Sequence, residues 1–243
     1  MAATLGLIAG SGQYPLLLAR SARSAGVSRI VAVAFERETD ESLGALVDEI
    51  AWLRVGQLGR LLAFFQQRQI GRAIMAGQIA PKHLFDLRPD LKALLLLGRL
   101  RERNAASLFG AIADELARVG VELLPATSYL EHLLARPAHL AGPAPGRRVL
   151  ADVEFAMRMA RQISALDIGQ AVVVRHGTVL AKVSQPQQDM RFDVPVIGAR
   201  TLEAAAEAKL AAVAVEAGRT LVLDPERIAA LAAAHRISLV GHA

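Results

Sequence analysis

"TLGLIAGSGQYPLLLARSARSAGVSRIVAVAF", residues 4–35, decides the fold class. "TLGLIAG" is a short apolar run of strand length. "GSGQYP" is a turn, because two glycines stand ahead of a proline suited to the first turn of a helix. "PLLLARSARSAG" has helical spacing and stops at Gly26, and "RIVAVAF" is a second strand. A strand, a glycine turn, a helix and a strand in 32 residues make a βαβ unit, and the crossover helix implies parallel pairing.

The same rhythm continues toward residue 125. "DESLGALVDE" reads as helical behind a cap at Asp40, "IAWLRV" as a strand, "QLGRLLAFFQQRQI" as a helix and "RAIMAG" as a further strand. Two long helical segments, "RPDLKALLLLGRLRER" and "AASLFGAIADELARVG", precede a last short strand in "VELLPA". "RPAHLAGPAPGRR", residues 136–148, is crowded with Pro and Gly and has no period, so it reads as a linker. Beyond it, "LADVEFAMRMARQISALD" is an amphipathic helix and "GQAVVVRHGTVLAKVS" a hairpin turning at His176-Gly177. The helix "TLEAAAEAKL", the strands "AVAVEAG" and "TLVLD", the helix "PERIAALAAAH" and the strand "ISLVG" complete the chain. The expected fold is therefore α/β with two domains. Residues 1–135 form a partial Rossmann-like parallel sheet, and residues 149–243 a smaller mixed sheet with helices.

Composition removes several function classes. The chain of 243 residues is 53% hydrophobic with a mean hydropathy of +0.34, enough apolar material for a sizeable core and opposite to the signature of disorder. There is no cysteine, which excludes disulfides and thiolate chemistry and fits a reducing compartment. No signal peptide opens the sequence, and "LKALLLLGRL" is far short of a membrane span, so a soluble cytoplasmic protein is expected. The net charge of +5 admits nucleic acid, an anionic membrane or phosphorylated small molecules. Scattered basic residues, few aromatics and no recognition motif argue against nucleic acid. Lys92, Arg99, Arg101 and Arg103 beside a leucine cluster read either as a membrane-surface element or as a core helix with a solvated end.

Four stretches carry candidate chemistry. In "GSGQYP", Gly10, Ser11, Gly12 and Gln13 open a helix whose backbone N–H groups would favour a phosphate, although Pro15 replaces the third glycine of a dinucleotide fingerprint. The bland reading is a tight turn. "ALDIGQ" holds Asp167, Gly169 and Gln170 between a helix and a strand, with Gly169 serving equally well as a plain C-cap. Glu216 ends an apolar run, where a carboxylate requires a partner arginine, a cation or exposure. "QPQQDMRFDVPVIG", residues 185–198, alternates polar and apolar residues as a strand with one wet face would. Asp189, Arg191 and Asp193 would then share that face, as a blunted sheet edge or as a Mg²⁺-assisted phosphoryl site. No zinc-ligand spacing, Walker loop or G-x-S-x-G elbow occurs.

These stretches, with "AIMAGQI", "LFDLRPDLKALLLLGRLRERN" and "AVAVEAGRTLVLD", occur in the order seen in one family. The chain resembles the LpxI-type UDP-2,3-diacylglucosamine pyrophosphatases over nearly its whole length. The resemblance implies two α/β domains, the second catalytic, with the active site between them. It implies Mg²⁺-dependent hydrolysis of UDP-2,3-diacylglucosamine to UMP and 2,3-diacylglucosamine 1-phosphate, in lipid A synthesis at the inner face of the membrane, by a cytoplasmic and peripheral enzyme. A homodimer is left open. The family's R-x-D-x-P motif gives Asp193 the catalytic and metal-binding role beside Arg191. Gly10, Ser11, Gly12, Gln13, Gly77, Asp167, Gly169, Gln170, Asp189 and Glu216 become substrate-binding candidates.

One departure is large. "GTVLA" passes directly into "KVSQPQQD", and the family's E-G-T-D segment is missing, a gap of about 25–30 residues, the size of a strand plus a helix. Two similar strand sequences flank the gap, so one continuous strand is expected at the join. An active pyrophosphatase and a non-catalytic UDP-sugar or acyl-sugar phosphate binder are both compatible with that loss. Nucleotide-dependent oxidoreduction rests on "GSGQYP" alone.

Overall fold

The computed structural model describes residues 4–79, 89–100, 102, 104–174 and 178–243. The chain divides into two compact units. The first is residues 1–129 with 189–193; the second is residues 130–188 with 194–243.

In the first unit, β1 (Thr4–Ala9), β2 (Arg29–Phe35), β3 (Glu49–Leu53), β4 (Arg72–Ala76) and β5 (Glu122–Leu123) form one sheet in the order β3-β2-β1-β4-β5. Every pair is parallel. β1 and β2 are buried on both faces, hence their unbroken apolar runs. Helix α1 (Tyr14–Ser24) carries Pro15 in its first turn and ends before Gly26, whose φ of 89° suits glycine. Helix α2 (Leu58–Gln67) buries Leu58, Leu61, Leu62 and Phe65 at helical spacing. Helices α3 (Leu91–Arg99) and α4 (Ala105–Arg118) begin at Asp90 and Asn104, whose side chains accept from Ala93 N and Ser107 N as N-caps. Their inner faces join the core around Phe65, Leu116 and Val121. Glu115, buried on α4, is ion-paired to both Lys92 and Arg118. The helix expected over residues 40–49 is only a 3₁₀ turn at Glu41–Ala45, capped by Asp40. Arg101 and Arg103 of the expected basic segment lie outside the described residues.

In the second unit, β6 (His139–Ala141), β7 (Ala171–Val174), β8 (Val179–Lys182), β10 (Ala212–Glu216) and β12 (Ser238–His242) form a mixed sheet in the order β6-β12-β10-β8-β7. β8, β10 and β12 run parallel, and β6 and β7 are antiparallel edges. A short parallel pair, β9 (Val196–Ile197) with β11 (Leu221–Val222), lies apart from that sheet. Helix α5 (Arg147–Ala165) packs Val153, Ala156, Met157 and Ala160 against β8, β10 and β12. Helices α6 (Ala199–Glu207) and α7 (Pro225–Ala234) contribute to a second apolar cluster with β10 and β12. β7 and β8 pair as expected of a hairpin; its turn at residues 176–177 is outside the described residues.

Two expectations need correction. Residues 136–148 are not a linker between units: they lie inside the second unit, β6 forms within them and pairs with β12, and Gly241 N donates to Ala138 O. The Pro/Gly crowding reflects an edge strand fitted between tight turns, with Gly142 at a φ of 76°. Residues 185–198 are not one strand either. The ladder is confined to Val196–Ile197, and residues 190–192 turn. The Asp189 side chain accepts from Arg191 N at 3.0 Å, and the Asp189 carbonyl accepts from Phe192 N and Asp193 N at 3.2 and 2.9 Å. An aspartate that caps the backbone two residues on favours a turn over a ladder.

Candidate active site

Within the first unit, β1 ends at Ala9 and the chain crosses the neighbouring end of β4. Gly10 N donates to Ala76 O at 2.8 Å and Ser11 N to Gln78 O at 2.7 Å; Gln78 N donates back to Ser11 O, and the Ser11 hydroxyl also reaches Gln78 O. This contact explains both Gly10 and Gly77. A Cβ on Gly10 would lie 2.5 Å from Gln78 O, and one on Gly77, at φ 93°, 2.6 Å from Ser11 O. The sequence suggested that Gly10 and Ser11 present free N–H groups; both groups are bonded within the protein. Gly12 and Gln13, at the start of α1, have N–H groups with no protein partner among the described residues. Gly77 thus acts by close backbone approach, which its own position in sequence does not reveal.

The Asp189–Asp193 turn belongs to this unit. Met190 O accepts from Ala126 N at 2.8 Å, and the Phe192 ring stacks on Phe109 with centroids 5.6 Å apart. Ala126 O in turn accepts from the Tyr14 hydroxyl at 2.6 Å. That phenol is pushed well above its ordinary range by burial. One residue, Ala126, therefore ties the first turn of α1 to the acidic turn.

Arg191 is not held between Asp189 and Asp193. Among the described residues its guanidinium hydrogen-bonds to Asp189, at 3.0 and 3.1 Å from Nε and 2.6 Å from Nη2, and the charge of Asp114 on α4 also acts on it. The Arg191 hydrogen bond holds the Asp189 carboxyl below its usual range, and the same bond raises Arg191. Asp193 is exposed, and its carboxylate has no protein partner among the described residues.

In the second unit, the remaining candidates gather where β8 and β10 end. Glu216 accepts from Ser184 N at 3.0 Å and from the Ser184 hydroxyl, and its carboxylate lies 3.7 Å from Arg219 Nε. Those partners answer the cost of a carboxylate at the end of an apolar strand. Asp167 accepts from Gln185 Nε2 at 2.9 Å. The α5 terminus differs from expectation: Asp167, at φ 55°, is the left-handed residue, and Ile168 N closes back onto Ile163 O. Gly169 follows the cap instead of forming it, since Asp tolerates this conformation. Gln170 O accepts from Val183 N, joining the two segments. Ser184, Gln185 and Arg219 were missed in the sequence; the Ser-Gln pair directly after β8 is the signal that marks them.

Among the described residues, no group of three or more His, Cys, Asp or Glu side chains could enclose a metal ion. A magnesium ion commonly takes one or two carboxylates and completes its shell with water and substrate phosphate. Asp193, without a protein partner among the described residues, fits that use and does not fit an all-protein cage. No helix among the described residues is long and apolar enough to cross a membrane.

A parallel sheet that reverses strand order between β1 and β4, with a glycine turn at that switch point, places the first unit in the doubly wound α/β class. A family model of the LpxI N-terminal domain matches residues 4–133, and one of the LpxI C-terminal domain matches residues 136–181 and 175–240. The UDP-2,3-diacylglucosamine pyrophosphatase LpxI of Caulobacter vibrioides is 30% identical over 265 aligned residues, covering 94% of this chain and 93% of the relative. The chain belongs to the LpxI family. Among solved structures, the biotin carboxylase domain of a thermophilic 2-oxoglutarate carboxylase covers 65% of this chain at 15% identity and a TM-score of 0.24. The biotin carboxylase subunit of pyruvate carboxylase covers 74% at 16% identity and 0.27. This chain spans 41% and 37% of those chains, and likeness at that level carries no argument.

Proposed function

We propose that this chain hydrolyses the pyrophosphate of UDP-2,3-diacylglucosamine, giving UMP and 2,3-diacylglucosamine 1-phosphate with Mg²⁺ as cofactor. Its family membership supports the substrate and the lipid A role. The observation that carries the site is Ala126, bonded on one side to Tyr14 and on the other to Met190. It holds the start of α1 and the acidic turn to one framework. The N–H groups of Gly12 and Gln13 would donate to a phosphate oxygen at the helix start. Arg191, pre-set by Asp189, would meet phosphate charge without freedom to wander. Asp193, exposed, would hold the cation and orient or deprotonate the attacking water. A bound Mg²⁺ would neutralise the pyrophosphate oxygens.

We infer that the family's E-G-T-D segment is absent from this chain and that the join lies within β8. The two C-terminal family matches overlap at residues 175–181, and the alignment to the relative runs over more positions than this chain has residues. Both observations support an excised strand-and-helix piece, with β8 serving the strand on each side of the cut. Peripheral membrane contact is the reading for α3, where Leu91, Leu94 and Leu95 are exposed beside Lys92 and Arg99. Hydrolysis in ¹⁸O-water tests the reaction: UMP release that requires Mg²⁺, with label in one product, supports it and identifies the attacked phosphorus. Unchanged UDP-2,3-diacylglucosamine after prolonged incubation with folded protein and Mg²⁺ would defeat it.

A further inference from the structure

The first unit has a recess of about 540 Å³ lined by Glu36, Arg37, Thr39, Glu41 and Trp52, within the size range of small-molecule sites. We propose that it receives the nucleoside end of a uridine nucleotide; the choice of uridine rests on the function proposed above.

Its position follows from the sheet. β2 ends at Phe35 and β3 at Leu53, and Glu36 N donates to Leu53 O at 2.9 Å, so the recess opens at the carboxyl ends of two adjacent parallel strands. Open parallel sheets bind ligands outside the carboxyl ends of their strands, and β2 adjoins β1, which flanks the switch point. The wall is fastened to the end of β1. The buried Thr39 hydroxyl donates to Ala9 O at 2.5 Å and accepts from Phe35 N at 2.9 Å. Ala9 is the residue before Gly10, so the recess and the N–H groups of Gly12 and Gln13 lie at the same carboxyl edge of the sheet. A second recess of similar size, lined by Arg20, Arg23, Leu46 and Asp48, lies by the other end of this sheet, at the C-terminal half of α1 and the approach to β3. It lacks an aromatic side chain and the strand ends on which the nucleoside site depends.

The lining suits the chemistry. Trp52 lies on the edge strand β3 and is 37% exposed, leaving ring surface on which a base can stack. Glu36 directly follows β2, where an acidic residue of a dinucleotide fold accepts hydrogen bonds from ribose hydroxyls. Its carboxylate now meets Arg54 Nε at 3.3 Å on an exposed surface, a weak pairing that a diol can replace. Arg37, at a φ of 65° in the turn after β2, adds a cationic side chain to the lining.

The chain has a single tryptophan, so Trp52 reports directly. Titrating the intact protein with UMP should quench its fluorescence saturably, and dUMP, which lacks the 2′-hydroxyl, should bind several-fold more weakly. Glu36→Gln should reduce UMP affinity and erase most of the UMP–dUMP difference. Trp52→Ala, followed by equilibrium dialysis with labelled UMP, should weaken binding about tenfold or more, the usual scale for losing a stacking platform. No saturable quench by UMP, or UMP affinity unchanged in both variants, overturns the recess as the site. The two proposals fail separately. Turnover with a KM indifferent to Glu36→Gln and Trp52→Ala rejects the recess and leaves the pyrophosphatase. Saturable quench without turnover in Mg²⁺ keeps the recess and rejects the pyrophosphatase.

Discussion

Gly77→Ala and Gly12→Ala form a matched pair. Both glycines have positive φ, 93° and 89°, so each alanine incurs similar backbone strain, about 1–2 kcal/mol. They differ in what a Cβ would touch. At Gly12 nothing lies within 4 Å, whereas at Gly77 the added carbon would sit 2.6 Å from Ser11 O and 2.8 Å from Gly10 C. Those are backbone atoms, and they can retreat only by loosening the bonds from Gly10 N to Ala76 O and from Ser11 N to Gln78 O. Overpacking of this kind adds about 1–3 kcal/mol, and a strained or broken hydrogen bond about 1 kcal/mol more. Gly77→Ala should therefore cost about 2–4 kcal/mol beyond Gly12→Ala. Urea denaturation of the full chain followed by Trp52 fluorescence reads the first unit. Equal losses in the two variants would refute the claim that close approach between the β1 and β4 ends selects Gly77.

Phe192→Ala removes the ring stacked on Phe109 and packed on the first unit's core. It should cost about 1–2 kcal/mol, less than a fully buried phenylalanine, and should lower kcat more than substrate affinity; unchanged turnover would detach the turn from the chemistry. Glu216→Ala leaves Ser184 N–H without its acceptor and should cost about 2 kcal/mol by calorimetry, with Glu216→Gln recovering part of that. Stability of the first unit should also depend on acid. Hydrogen bonds from Arg29 and Arg68 lower Glu49, that from Lys92 lowers Glu115, and that from Arg191 lowers Asp189, from ordinary values of 4.5, 4.5 and 3.8. Depressed carboxyls contribute in full above their unfolded pKa and lose that contribution as pH falls toward the folded one. Urea midpoints should be flat between pH 7 and pH 5 and decline below about pH 4.5; a decline already complete by pH 5 would contradict these pairings.

The regular elements were legible because burial wrote them directly into the sequence. β2 occupies the whole of "RIVAVAF", since a parallel strand covered on both faces leaves no polar alternation to misread. The Asp189–Asp193 stretch misled for the opposite reason. Period-two polarity also describes a turn in which Asp189 caps the backbone and clasps Arg191 while Phe192 reaches the core. Its attachment to the first unit depends on Ala126 and Phe109, more than sixty residues earlier in the chain, and no local pattern encodes that contact. Gly77 illustrates the same limit. Its need for glycine comes from the β1–β4 register that sets Ala9 against Ala76, a property of pairing that neither strand holds alone. Asp167 could take the left-handed cap position ahead of Gly169 because Asp and Gly both tolerate it, so composition left the choice open.

The most direct test of the central claim is UMP release from UDP-2,3-diacylglucosamine in Mg²⁺ by the wild-type chain and by Asp193→Asn. The substitution keeps size and removes charge from an exposed carboxylate without a protein partner among the described residues, so both proteins should melt alike. Wild-type turnover should be measurable and should fall by about 100-fold or more in the variant, the scale of a lost base or electrostatic stabiliser. Variant turnover equal to wild type, or a folded wild type that releases no UMP, would contradict that claim.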